Sequence, residues 1–212
     1  PAKFVGQVAR PERITAAVLS YAPSLHGYHA ETLGVLAACL ASLRAHAEMP
    51  FDLLVFDNGS CEEVQQYLLD QQRQGAIQYL LLSERNLGKG GAWNAIFQAA
   101  PGEVLAYTDC DALFYPHWLS DSIAILETYP VVGMVTSRPF RTPPEFMTGT
   151  LAWAEAERGA TVERGSFIPW GTFREFDMSL GQEEAQVRRR YEATEDIRVT
   201  YRGVPAMVGA SH

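Results

Sequence analysis

From residue 14 to residue 135, short apolar runs of strand length alternate with segments whose apolar residues recur at helical spacing. Runs at 14–21, 51–56, 77–82, 104–109 and 131–135 are rich in Val, Ile, Leu, Phe and Ala. Between them, Leu33, Leu36, Leu40 and Leu43 predict a helix over 30–47, closed by Pro50. Val64, Tyr67 and Leu68 predict a second helix that ends near Gly75. A third is expected over 92–100, and a fourth, carrying Leu119, Ile123 and Leu126, between Pro116 and Pro130. Strands that alternate with helices in this way imply the α/β class, a largely parallel sheet covered by helices on both faces. Open sheets of this kind bind ligands outside the carboxyl ends of their strands.

The residues at those ends are therefore the ones to read for chemistry. The first strand stops at Ser20, and the second runs into Asp57-Asn58-Gly59-Ser60. The third is followed by Arg85-Asn86-Leu87-Gly88-Lys89-Gly90-Gly91, and the fourth by Asp109-Cys110-Asp111. Side chains alternate along a strand, so extended geometry would aim Asp109 and Asp111 at one point. Two carboxylates held together repel, and a hard divalent cation relieves that repulsion; Mg²⁺ takes one or two carboxylates plus substrate phosphates, and Mn²⁺ accepts the same oxygens. The same triplet also suits an ordinary solvated strand end. Lys89, in a glycine-rich loop at a helix start, suits a diphosphate. The segment matches neither the Walker A spacing nor the dinucleotide fingerprint, and a plain turn is the alternative. Asp57 is placed to accept a base N–H or to hold its own turn. Ser60 and Glu63 have the spacing of a capping box. The histidines show no paired metal spacing, and the tryptophans read as core.

Charge narrows the class. A net charge of −8 and a pI near 5.1 argue against nucleic acid as the main partner. A nucleotide remains compatible, because a local basic pocket and a metal ion outweigh the overall sign. Three cysteines, odd in number and without ligand spacing, point to a reducing compartment. The first residues lack the apolar core of a leader, no apolar run approaches a membrane span, and the start at Pro1 reads as a processed or excised chain.

After Ser137 the rhythm loosens. Residues 138–144 read as a loop, 150–158 and 183–192 as helices, and 197–201 and 206–210 as strands. Between the two helices lies an aromatic, glycine-containing stretch with Phe167, Trp170, Phe173 and Phe176. The triplet Arg188-Arg189-Arg190 reads as a solvated helix face.

Taken together, a first strand ending near Ser20, then Asp57-Asn58-Gly59-Ser60, then Asn86-Leu87-Gly88 with Ala92-Trp93-Asn94, then Asp109-Cys110-Asp111, resembles the family 2 glycosyltransferases of GT-A fold. The likeness covers about residues 13–137. It implies one GT-A-like domain over 1–212, with 13–137 binding the nucleotide sugar and 138–212 forming the acceptor side. The implied activity is transfer of a sugar from a nucleotide-diphosphate sugar, UDP- or GDP-linked, with inversion at the anomeric carbon. Ser20, Asp57, Arg85, Asn86, Lys89 and Asp109 would line the nucleotide sugar, and Asp109 and Asp111 would hold Mg²⁺ or Mn²⁺. The acceptor stays open, and the expected location is cytoplasmic, extending to the inner face of the membrane. Such enzymes carry a Glu-Asp pair whose Asp is the base. Glu195-Asp196 is the only such pair after the metal motif, which makes Asp196 a candidate; the alternative is a base in sequence beyond His212. His212 itself is a candidate for helping the metal or the acceptor. Two other readings stand beside this one: a non-catalytic GT-A-like binding domain, and a sugar-1-phosphate nucleotidyltransferase. Ser20-Tyr21-Ala22-Pro23, where the latter class carries a glycine-rich loop, counts against it.

Overall fold

The computed structural model describes residues 8–130, 132–137 and 141–209. The chain divides into two compact units, Pro1–Ser120 and Asp121–His212. Among the described residues no helix is long and apolar enough to cross a membrane.

The first unit is the α/β sheet the alternating runs predict. Four parallel strands, β1 (Ile14–Ser20), β2 (Asp52–Asp57), β3 (Tyr79–Leu82) and β4 (Val104–Asp109), lie in the order β3-β2-β1-β4. Every residue of β1 is buried, as befits a central strand covered on both faces. Helices α1 (Thr32–Ala45) and α2 (Glu62–Arg73) cover one face, packing Leu36, Cys39, Leu40, Leu43, Val64 and Leu68 on Ala16, Val18, Leu53 and Val55. Helix α3 (Gly88–Ala99) covers the other, with Ala92 and Ile96 against Ala17, Leu19, Leu54 and Phe56. Fully burying side chains of this size contributes about 1.5–3 kcal/mol each. Gly102, just before β4, is required by close approach: a Cβ there would lie 2.7 Å from the Thr15 hydroxyl, which accepts the Gly102 N–H at 3.0 Å.

Three local expectations are corrected in this unit. Helix α3 begins at Gly88, four residues earlier than expected, so the glycine-rich loop is the helix's own first turn. Ser60 does not cap α2; Cys61 is the N-cap residue, and the Ser60 hydroxyl instead accepts the Ala22 N–H at 2.9 Å. Strand β4 ends at Asp109, and Cys110 and Asp111 lie in a turn, so the alternation that would align the two carboxylates does not persist.

Helix α4 (Trp118–Thr128) contains the division between the units. In the second unit, residues 132–137 have no regular structure, where a fifth strand was expected; residue 131 lies outside the described residues. Gly133 interrupts that run, and no described strand pairs with it. Instead, β5 (Ala160–Gly165), β6 (Asp196–Tyr201) and β7 (Val204–Met207) form an antiparallel sheet, order β5-β6-β7. The β6–β7 hairpin turns on Arg202 and Gly203, both at positive φ, as a two-residue turn between twisted strands demands. This early turn moves the expected strand 206–210 forward to Val204–Met207, and residue 210 lies outside the described residues. The Tyr129 hydroxyl sits 2.7 Å from the carbonyl oxygens of Val199 and Val204, and its ring packs with those of Trp153 and Tyr201.

Helices α5 (Thr148–Ala156) and α7 (Glu184–Ala193) match expectation within two residues. The aromatic stretch between them is helical too, as α6 (Trp170–Ser179), because Phe173 is buried and packs on Tyr191 of α7. The arginine triplet is exposed, and within it Arg188 stacks on Trp170 and Arg190 pairs with the buried Asp177.

Candidate functional site

The four parallel strands end together at one edge of the first unit. Ser20 lies opposite Asp57, Leu19 opposite Asp109, and Asp57 opposite Leu82. Residue parity then divides them. Ser20 and Asp57 follow Val18 and Val55 onto the face covered by α1 and α2. Asp109 follows Tyr107, whose ring packs 4.8 Å from Trp93 and 5.5 Å from Phe97, onto the α3 face. The residues expected to share a rim do share it, on opposite sides of the sheet.

Asp57 is completely buried, and its two oxygens differ. Oδ2 accepts the Ser60 N–H at 3.0 Å and the Gln65 amide at 3.3 Å. Oδ1 is buried without a hydrogen-bond partner, and so is the hydroxyl of Ser20 beside it. An unsatisfied buried acceptor costs about 1–3 kcal/mol, more when charged, so such atoms are rare unless something else meets them.

Asn58, not singled out by its residue type alone, ties the loop after β2 to the loop after β3. Its side-chain oxygen accepts the Leu87 N–H at 2.8 Å, and its amide donates to the Asn86 side-chain oxygen at 3.0 Å. That Asn86 oxygen also accepts the Gly88 N–H at 2.7 Å, satisfying an orphan donor where α3 begins. This explains why a glycine-rich segment starts a helix. Gly59, at φ +86°, lets the loops close: a Cβ there would sit 2.9 Å from the Arg85 carbonyl carbon. The signal in the sequence was the Asn-Gly step, where one side chain both donates and accepts beside a residue free to adopt positive φ. Gln65, the second brace on Asp57, carried no sequence signal.

At the other side of the rim, Lys89 in the first turn of α3 meets Asp109, with Nζ 2.6 Å from Oδ2. Asp111 is exposed in the turn that follows. Arg85 is exposed as well, its carbonyl accepting the Ser83 hydroxyl at 2.6 Å. Among the described residues no group of three or more His, Cys, Asp or Glu side chains gathers to hold a metal. Behind this edge, burial together with the nearby Cys110 pushes the Cys39 thiol up to about 12, and burial raises Cys110 also. Both stay protonated and unreactive near neutral pH.

The second unit contains the other carboxylate singled out from sequence. Asp196, at the head of β6, is buried, and both oxygens are fully engaged. Arg141 donates to Oδ1 at 2.8 Å and to Oδ2 at 3.3 Å, while the N–H groups of Phe167 and Ile168 reach Oδ2 at 2.8 and 2.9 Å. Arg141 is itself buried, stacked over Tyr191 and Phe173. This arrangement anchors a loop and leaves no lone pair facing solvent. Asp196, singled out as a candidate base, is thus tied by Arg141 and two backbone N–H groups, an arrangement that serves the fold. His212 lies outside the described residues.

The family model described as glycosyl transferase family 2 matches residues 28–180. An uncharacterized glycosyltransferase, alr2836 of Nostoc sp. (strain PCC 7120), is 31% identical over 100 residues, which is 47% of this chain and 31% of that protein. Among solved structures, the mannosyltransferase PcManGT from Pyrobaculum calidifontis, in complex with GDP-Man and Mn²⁺, is 23% identical with a TM-score of 0.47, over 62% of this chain and 37% of that one. S. aureus TarS 1–349 in complex with UDP-GlcNAc is 20% identical with a TM-score of 0.45, over 62% of this chain and 39% of that one. The chain thus spans about a third of the length of the curated relative it matches.

Proposed function

The chain belongs to glycosyl transferase family 2, and on that footing we propose that its first unit binds a nucleotide-diphosphate sugar along the carboxyl edge of the parallel sheet, for inverting transfer to an acceptor. The observation that carries this reading is the unpartnered Oδ1 of the buried Asp57. A carboxylate only accepts, so it calls for a ligand edge bearing N–H. Uracil and guanine carry a ring N–H on their pairing edge, which favours UDP- or GDP-linked sugars. The Ser20 hydroxyl, equally unpartnered on the same face, offers the nucleoside a second contact. Asn86, fixed by Asn58, would stand beside the nucleotide at the same edge.

The diphosphate belongs, in this reading, at the first turn of α3. Helix N–H groups and the cations of Arg85 and Lys89 favour an anion there. Asp109 and Asp111 would hold Mg²⁺ or Mn²⁺. In this reading the cation would draw on these two carboxylates at the end of β4 and in the turn after it, and take its remaining oxygens from substrate. When bound, such a cation stabilises the charge that develops on the departing nucleoside diphosphate. The chain's own part is to orient the nucleotide through Asp57 and Ser20 and to balance the phosphate charge through Lys89 and Arg85. We give Asp196 an anchoring role in the second unit and do not assign it as the base.

Calorimetric titration of UDP and of GDP, with and without Mn²⁺, tests the reading on wild type and on Asp111→Ala. Micromolar binding of one nucleotide that requires both Mn²⁺ and Asp111 is the expected result. Failure of both nucleotides to bind a folded protein in the presence of Mn²⁺ would remove it.

A further inference from the structure

The Lys89–Asp109 ion pair is out of place by local rules. A helix N-terminus favours negative charge, yet the first turn of α3 has no acidic residue and carries a lysine instead. That lysine is directed to an acid: its ammonium is 2.6 Å from the carboxylate that ends β4. Both partners are well exposed, 67% for the Lys89 side chain and 44% for Asp109, so solvent keeps the pair weak and exchangeable. The space around the turn is open: a Cβ on Gly88 or Gly90 would meet nothing within 4 Å. A cation held lightly beside a carboxylate, at a helix start able to receive an anion, has two partners of comparable merit.

We propose that Lys89 is an exchangeable counter-charge. It neutralises Asp109 in the nucleotide-free protein and transfers to a phosphate oxygen when a nucleoside diphosphate and a divalent cation enter together. The proposal rests on the nucleotide-sugar reading above and adds to it an order of binding. While Lys89 occupies Asp109, a divalent cation alone must compete with an ammonium for that carboxylate. Once a diphosphate offers Lys89 another anion, Asp109 is released. Nucleotide and cation then promote each other's binding, and by linkage the factor is the same in both directions.

Lys89→Met separates the two roles. Free Mn²⁺, followed by electron paramagnetic resonance in titrations of nucleotide-free protein, should bind the variant about two- to fivefold more tightly than wild type, the range that loss of an exposed ion pair allows. UDP or GDP, whichever wild type binds, should bind the variant on the order of tenfold more weakly at saturating Mn²⁺, as expected for loss of a charge-assisted contact. The factor by which nucleotide tightens Mn²⁺ should shrink accordingly, and Lys89→Arg should restore it. A lysine with a merely structural role would leave that factor unchanged. If wild type binds nucleotide with Mn²⁺ but Lys89→Met binds Mn²⁺ alone no more tightly than wild type, the exchange is wrong and the nucleotide reading stands. If wild type binds neither nucleotide, both fall together.

Discussion

Asp57 and Asp196 are two buried carboxylates at the ends of strands, one in each unit, and they differ in how far the fold has used their oxygens. Asp196 has every oxygen engaged, by a buried guanidinium and two backbone N–H groups. Asp57 has one oxygen engaged and one without a partner. Burial alone therefore does not mark a functional acid, since both are buried to within a few per cent. What distinguishes them is whether the fold has already used the lone pairs. The largest expected effect follows from the satisfied member. Asp196→Ala would leave Arg141 buried and uncompensated, together with two N–H groups, and should destabilise the protein by about 3–5 kcal/mol. Denaturant unfolding measures this. The nucleotide affinity of whatever protein remains folded should be that of wild type. A variant of normal stability that had lost transfer activity would reverse the comparison and return Asp196 to the role of base.

Asp57→Asn tests the other member. The amide keeps an acceptor for the Ser60 N–H, but it turns an N–H toward the pocket where a base N–H is expected to sit. Nucleotide affinity should fall by about ten- to a hundredfold, the effect of losing a hydrogen bond to a charged group. The unfolding midpoint should move far less than for Asp196→Ala. Equal losses of stability in the two variants would mean that Asp57, too, is held for the fold rather than for a ligand.

The sequence made one side of this comparison far more legible than the other. Strands β1, β2 and β4 and helices α1 and α2 announced themselves through runs and periods that reflect burial, and the acids at the strand ends followed from topology. The state of those acids did not follow. Arg141 and Asp196 are separated by 55 residues and Lys89 and Asp109 by 20, and no local pattern records such pairings. Propensity misled at α3, where glycines spoke for a loop while a hydrogen bond from Gly88 to Asn86 started a helix. Strand β5 has no such signature, because Glu163 and Arg164 place consecutive charges on its two faces and blur the apolar alternation of an edge strand. Asp-x-Asp misled by assuming the strand continued; it ends at the first acid.

The smallest expected effect concerns what holds the carboxylate of Asp57 while its Oδ1 stays without a partner. Gln65 donates to Oδ2 at 3.3 Å and to the Ser60 carbonyl at 3.0 Å, so it holds both the carboxylate and the turn that follows it. On this reading Gln65 acts on the nucleotide through Asp57 alone. Gln65→Ala removes a neutral donor from a carboxylate still held by the Ser60 N–H, and nucleotide affinity should fall by about two- to tenfold. Combined with Asp57→Asn, the second substitution should add little, because the group it positions is already changed. Titration of the single and double variants with the nucleotide that wild type binds decides this. Full additivity would mean that Gln65 meets the ligand directly, and that the pocket is wider than the one unpartnered oxygen indicates.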